Sequence, residues 1–339
     1  MTRLTALLAA ALLATPALAA DAPKVTMNGL VDAYYTLNLT QGQALSSPTA
    51  GADFYSSATG FNLNFAKLAA TAESGPATLK LEIGAGKQGV YVGNALVQQG
   101  YLSMKFGTLT VDAGRFYTPA GFEVFDGNAN WAYSKGLLFN FTVPTAHEGA
   151  RVTIPVSDTV SLALTVANGS DLWTNDVGMS GSPYKTGIAS LSYTKDATFA
   201  AVNVFASKDP ATTEDAFQVD AVASQGYGKV SVAVQADYVS LGSSSLWGAG
   251  LWGKYALAEG GAELVGRVEY VSDEDSLRLP TDALAAPAKD ALGLTVGVNY
   301  PVGPNAALKA EVRYDKAGKK IYGEDDALAT FTVGALAWF

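Results

Sequence analysis

Residues 305–315 read NAALKAEVRYD, and the phase of their side chains decides the fold. Ala306, Leu308, Ala310, Val312 and Tyr314 fall on one side of an extended chain. Ala307, Lys309, Glu311, Arg313 and Asp315 fall on the other. Side chains in a strand alternate with period two, so this strand has one apolar face and one charged face. A Lys or Arg facing lipid near the midplane costs roughly 2–4 kcal/mol. In a membrane, the charged face of such a strand therefore lines the interior of a closed sheet and the apolar face meets lipid.

The same parity recurs along the chain. In 262–272, Leu264, Val268 and Tyr270 oppose Glu263, Arg267 and Glu269; in 229–241, Val230, Val232, Val234 and Tyr238 oppose Ser231, Gln235 and Asp237. In 77–85, Leu79, Leu81 and Ile83 oppose Lys80 and Glu82. Period-two alternation marks sixteen strands, near 25–39, 60–73, 77–85, 96–106, 109–117, 147–156, 159–167, 184–194, 198–207, 215–225, 229–241, 247–257, 262–272, 290–300, 305–315 and 326–339. Most have the ~9–11 residues that a tilted strand needs to cross a bilayer.

The connections alternate in length. Short turns are expected at Ser74–Pro76, Gly107–Thr108, Ser157–Asp158, Lys195–Ala197, Gly226–Gly228, Ala258–Gly261 and Pro301–Pro304. Between them fall longer loops at 40–59, 86–95, 118–146, 168–183, 208–214, 242–246, 273–289 and 316–325. Outer-membrane barrels have short periplasmic turns and longer external loops, whereas a soluble sandwich has no reason for that order. Outward aromatics also gather at both strand ends: Phe106, Tyr193, Tyr255, Tyr300 and Phe339 beside the turns, and Tyr238, Tyr270 and Tyr314 beside the loops. Two such girdles mark the membrane interfaces. The expectation is an all-β transmembrane antiparallel barrel over 21–339, closed by pairing its first and last strands, because lipid leaves no partner for an open edge.

Composition fits an exported protein. Residues 1–20 read MTRLTALLAAALLATPALAA: one base, a short apolar run, then small residues for cleavage after Ala19 or Ala20. The run is too short to span a bilayer as a helix. Removing this signal peptide takes Arg3 with it and leaves 31 acidic against 21 basic residues, net −10. That balance disfavours nucleic acid as a partner and favours cations in a channel. There is no Cys and a single His, so neither a disulfide framework nor a multi-His metal site is available.

One stretch breaks the alternation. Residues 115–151 read RFYTPAGFEVFDGNANWAYSKGLLFNFTVPTAHEGAR, rich in Gly, Pro, Asn and aromatics. An irregular insertion this long in a compact fold has a functional reason. It forms the third external loop, 118–146, and is expected to fold inward as a constriction loop. Strict parity points Arg115 toward lipid; either it sits near the outer interface or Gly114 supports a bulge that turns it.

Two segments carry a family resemblance. ATFTVGALAWF (329–339), ending on Phe339, resembles the terminal strand read by the barrel-assembly machinery, with Ala337 where an aromatic is common. VDAGRFYTPAGFEV (111–124), Asn130, Ser134, Leu137-Leu138-Phe139, Pro144, HEGAR (147–151) and VANGSDLW (166–173) are similar to the OmpL-like β-barrel porin family. The close match covers about sixty residues. It implies an outer-membrane channel for ions and small hydrophilic solutes; similarity to general porins implies a homotrimer and a third loop that narrows the pore.

The candidate constriction sets loop acids Glu123 and Asp126 against wall bases Lys80, Lys105, Arg151, Lys254, Arg267, Lys309 and Arg313, giving a transverse field. The competing reading is that Glu123 and Asp126 only anchor the loop. Acids Glu82, Asp220, Glu269 and Glu311 also face inward, so the wall is mixed. Acids at Asp273–Asp275 and Glu324–Asp326 lie on external loops, as a solvated rim or as bridges to lipopolysaccharide through divalent cations. Gly84, Gly86 and Gly89 spell GxGxxG, but no helix follows, so no cofactor is expected. His147 beside Glu148 has no serine signature, and neighbours in a strand face opposite ways, so no catalytic group is expected. The alternatives to a porin are a plugged barrel used in adhesion or envelope architecture and, behind it, a barrel hydrolase.

Overall fold

The structure is a computed structural model and describes residues 22–40, 59–87, 96–169, 184–209, 212–279, 288–320, 322 and 325–339. The expected signal peptide, Gly89, Ser170–Trp173 and Glu324 lie outside the described residues.

Among the described residues, sixteen strands and one short helix form in chain order: β1 (Lys24–Asn38), β2 (Gly60–Ser74), β3 (Ala77–Ala85), β4 (Val97–Phe106), β5 (Leu109–Tyr117), α1 (Leu137–Phe141), β6 (Ala146–Pro155), β7 (Val160–Asn168), β8 (Lys185–Lys195), β9 (Thr198–Lys208), β10 (Asp215–Tyr227), β11 (Val230–Leu241), β12 (Ser244–Ala256), β13 (Glu263–Ser272), β14 (Asp290–Gly303), β15 (Ala306–Ala317) and β16 (Ala327–Trp338). Each strand pairs antiparallel with its sequence neighbours, and β1 pairs with β16 to close the barrel. The seam runs from Leu30↔Trp338 to Asn38↔Thr330. It is finished by reciprocal backbone bonds between Gly29 and Phe339 at 3.1 and 3.2 Å. No sheet edge is left, which is what a bilayer core demands of backbone donors and acceptors.

Parity holds on most strands. On β15, Leu308 and Val312 are exposed outward, while Lys309, Glu311, Arg313 and Asp315 are buried inside. The aromatics expected at the interfaces are exposed, apart from Tyr270, which is half-buried beside Trp247 at 5.5 Å.

Two local expectations need correction. Residues 242–246 do not form a loop: Gly242-Ser243 makes a two-residue turn, and Ser244 and Ser245 already pair with Leu241 and Ser240. Gly242 takes φ +55°, the left-handed conformation a two-residue hairpin requires. Long and short connections therefore do not alternate throughout. The bulge considered at Gly114 does not form either, since the register runs unbroken through it on both sides. Gly114 instead takes φ +136°, and a Cβ there would strike the backbone of Gly100. Arg115 is shielded, with 12% of its side chain exposed, and Glu148 answers its charge at 3.5 Å.

Among the described residues, an apolar cluster gathers around α1 within the barrel. Leu137, Leu138 and Phe141 of α1 pack with Trp252 of β12, Val271 of β13 and Leu328 of β16. Inward glycines make room for the segment between β5 and β6. Gly248 and Gly293 lie under Leu138 and Leu137, and a Cβ at Gly334 would collide with the Tyr133 ring.

Candidate functional site

The segment linking β5 to β6 crosses to the far wall, and buried wall side chains bind its backbone. Asp220 on β10 accepts from the Gly121 N–H at 3.2 Å, and Gln235 on β11 from Phe122 N–H at 2.7 Å. Glu311 on β15 accepts from Tyr133 and Ser134, and Glu269 on β13 accepts from Leu137 and Leu138 at 3.0 and 3.1 Å. Donors on the same wall take the carbonyls. Arg267 binds Ser134 O at 2.5 Å, Lys309 binds Gly127 O at 2.9 Å, and Arg313 binds Lys135 O at 2.5 Å. The inward charges of β10–β15 thus satisfy a stretch of chain that has no ladder of its own.

This alters the places of the expected constriction residues. Glu123 does not face its bases across open space. It is 3% exposed at the side chain and touches Arg267 at 2.5 Å. It also accepts from Gly136 N–H at 2.5 Å and the Trp252 indole at 3.2 Å. Glu123, Arg267, Lys309 and Arg313 are therefore anchors of the segment, since an unpaired charge at this depth would be prohibitively unstable. Lys105 is exposed, one position from the turn after β4, far from Glu123 in the register of the wall. Arg151 pairs with Asp112 through Nε and Nη2 at 2.9 and 2.7 Å, and its guanidinium lies 4.4 Å from the Phe116 ring centre. Lys254 is held by Glu263 at 2.8 Å beside Trp131. His147 is buried against Phe205, with Nε2 3.2 Å from Thr118 Oγ1.

Asp126 finds a base that strict alternation hides. Lys67 on β2 meets it at 2.5 Å and meets Glu82 at 3.5 Å. Phe61 and Leu63 face outward, so unbroken parity would send Lys67 into lipid. A register shift opposite Asp32/Ala33 leaves Asn64 as the extra residue and reverses the phase, bringing Phe65 and Lys67 inside. The signal was present in FNLNFAKLAATA (61–72), where outward apolars move from Phe61 and Leu63 to Leu68 and Ala70.

Electrostatics within the crossing segment follow from burial. Burial works against charge on Glu123, but Arg267, the Gly136 N–H and Lys135 outweigh it and hold the carboxyl below its ordinary 4.5. Burial pulls the Lys135 ammonium down to about 8, despite Glu123, Asp32 and Asp126 nearby.

Two cavities flank the tip of the segment. One, of about 310 Å³, lies against β2–β5 and is lined by Lys67, Lys80, Glu82, Gln99, Tyr117 and Asp126. The other, of about 330 Å³, reaches the short-turn end beside Trp131, Lys254, Glu263, Asn299 and Lys309. Ala129 borders both.

The family model described as Putative beta-barrel porin-2, OmpL-like, matches residues 24–339. The chain belongs to that family. It is an outer-membrane channel protein of the porin type. No curated protein matches it. Among solved structures, the outer membrane channel DcaP of Acinetobacter baumannii superimposes with TM-score 0.67 at 12% identity, over 94% of this chain and 98% of that one. OmpF of Salmonella typhi gives TM-score 0.67 at 11% identity, over 94% and 98%. OmpT of Vibrio cholerae in its trimer form gives 0.64 at 12%, over 94% and 100%. At these identities the likeness is one of fold.

Proposed function

We propose that this porin passes ions and small hydrophilic solutes by diffusion, along a path confined to the β1–β6 side of the barrel. The observation that carries the reading is the asymmetry of the crossing segment. Its backbone is fastened to β10–β15, and a polar cavity remains against β2–β5. The segment 118–146 acts as the constriction, with Asp126 on its edge and Lys67, Lys80 and Glu82 on the wall opposite. Sixteen strands enclose enough width for an aqueous channel even with part of the bore filled.

The apolar cluster of α1 inside the barrel favours a second reading, a plugged barrel that serves adhesion or envelope architecture. Planar-bilayer recording separates the two. Discrete conductance steps are expected, larger after deletion of residues 120–142. Silence from folded protein would leave the plugged barrel standing.

A signal peptide at residues 1–20, export to the outer membrane and recognition of the Phe339 end by the barrel-assembly machinery belong to the same proposal. So does a homotrimer, supported by the small outward residues Ala33, Ala66, Ala70, Ala335 and Ala337 around the seam. Contact with lipopolysaccharide, directly or through divalent cations, falls to exposed rim acids such as Glu274 and Asp326. Asp273 is already committed to the N–H groups of Leu277, Arg278 and Leu279 at 2.6–2.7 Å.

A further inference from the structure

The cavity against β2–β5 holds four charges, and they are not equivalent. Lys67 is shared by two acids, Asp126 at 2.5 Å and Glu82 at 3.5 Å. Glu82 has nothing left for a solute. It is 2% exposed, and its oxygens also take the Tyr117 hydroxyl at 2.5 Å and the Gln99 amide at 3.2 Å. Asp126 differs, with a third of its side chain exposed and Lys67 as its single salt-bridge partner among the described residues.

Lys80 supplies the opposite imbalance. It projects from β3 into the same cavity, with Nζ 5.9 Å from the Tyr101 ring centre. Among the described residues it has no carboxylate partner. The other inward bases are matched, Arg151 by Asp112, Lys254 by Glu263, Arg267 by Glu123 and Arg313 by Asp315, while Lys135 and Lys309 bind carbonyls. Lys105 stands at the short-turn end, outside the cavity. Two bases and two acids make the cavity neutral in sum. One negative charge is left in excess beside the crossing segment, and one positive charge on the wall.

A cation entering this space meets Lys80, and an anion meets Asp126. A solute bearing both charges can satisfy both ends. We propose that the cavity between Lys80 and Asp126 selects small zwitterions, solutes with an ammonium and a carboxylate on one short skeleton. The carboxylate lies toward Lys80 and the ammonium toward Asp126. The volume holds about ten waters at roughly 30 Å³ each, which suits a solute of a few heavy atoms. The inference rests on the porin reading, because it needs the path to run through this cavity. Selection then follows the local arrangement of charge rather than the net −9 of the chain.

Proteoliposome swelling tests it with two probes of the same skeleton, alanine and the uncharged lactamide, on protein shown to be folded by its resistance to detergent before heating. Alanine is expected to enter about threefold faster, the scale of a partly exposed ion pair. Lys80→Gln and Asp126→Asn should each bring the ratio to unity, and Lys80→Arg should keep it. Equal rates in the wild type overturn the proposal, as does a ratio untouched by both neutralising variants. Entry of neither probe from folded protein overturns the porin reading itself, and this proposal with it.

Discussion

Glu123 and Gly136 lie 13 residues apart, and Arg267 lies 144 residues from Glu123, yet one carboxylate holds both. Glu269 also lies against the Arg267 guanidinium, at 2.9 Å, so removing the Glu123 charge takes away one of two carboxylates together with charged hydrogen bonds, a change that costs about 1.5–3 kcal/mol. Glu123→Gln is therefore expected to loosen the crossing segment and to lower the urea midpoint; a midpoint equal to wild type would refute the anchor. The pH dependence follows from the direction of the shift. Glu123 has a folded value below its ordinary 4.5, so it contributes stability that is complete above that ordinary value and is lost as pH falls through the depressed one. Acid unfolding monitored with and without Glu123→Gln should show this contribution disappear in the variant. Lys67 teaches the complementary lesson. Its inward place depends on one extra residue, Asn64, and a strict count along the strand puts it in lipid.

At the scale of elements, the crossing segment behaves as a ligand of its own barrel. It carries only α1 as regular structure, and its orphan backbone groups are met by side chains from β10 to β15. Glycine at inward positions is part of that fit. Gly334 gives the Tyr133 ring its seat, and the Tyr133 hydroxyl then reaches Asp32 at 2.7 Å. Gly334→Leu should unseat the ring and destabilise the protein by about 1–3 kcal/mol through overpacking. Thermal unfolding of the variant checks this, with Gly334→Ala expected between it and wild type. A Leu variant as stable as wild type would mean that the segment is not held there. The length of this segment and its lapse of alternation were legible in the sequence. Its route was not, because Glu311 reaches Tyr133 across 178 residues and no local pattern records such a pairing.

At the scale of the molecule, closure joins the two ends of the chain. Phe339 bonds Gly29 through the backbone, and its ring covers the place where a Gly29 side chain would stand. Deleting Phe339 is expected to cut the folded fraction recovered from outer membranes, with wild type migrating at the trimer mass on native gels. Full recovery of the truncated chain would count against a role for this end in assembly.

The sequence by itself determined the barrel, the sixteen strands and most of the inward and outward faces. Those properties are set strand by strand, because lipid on one side and a polar interior on the other impose period two on each segment separately. The tertiary structure alone decided which charges meet. Register, one bulge and the path of the crossing segment turned Glu123, Arg267, Lys309 and Arg313 into anchors and brought Lys67 to Asp126. An ion pair is a statement about distance between remote parts of the chain, and distance is fixed only once the sheet has closed and the bore is filled.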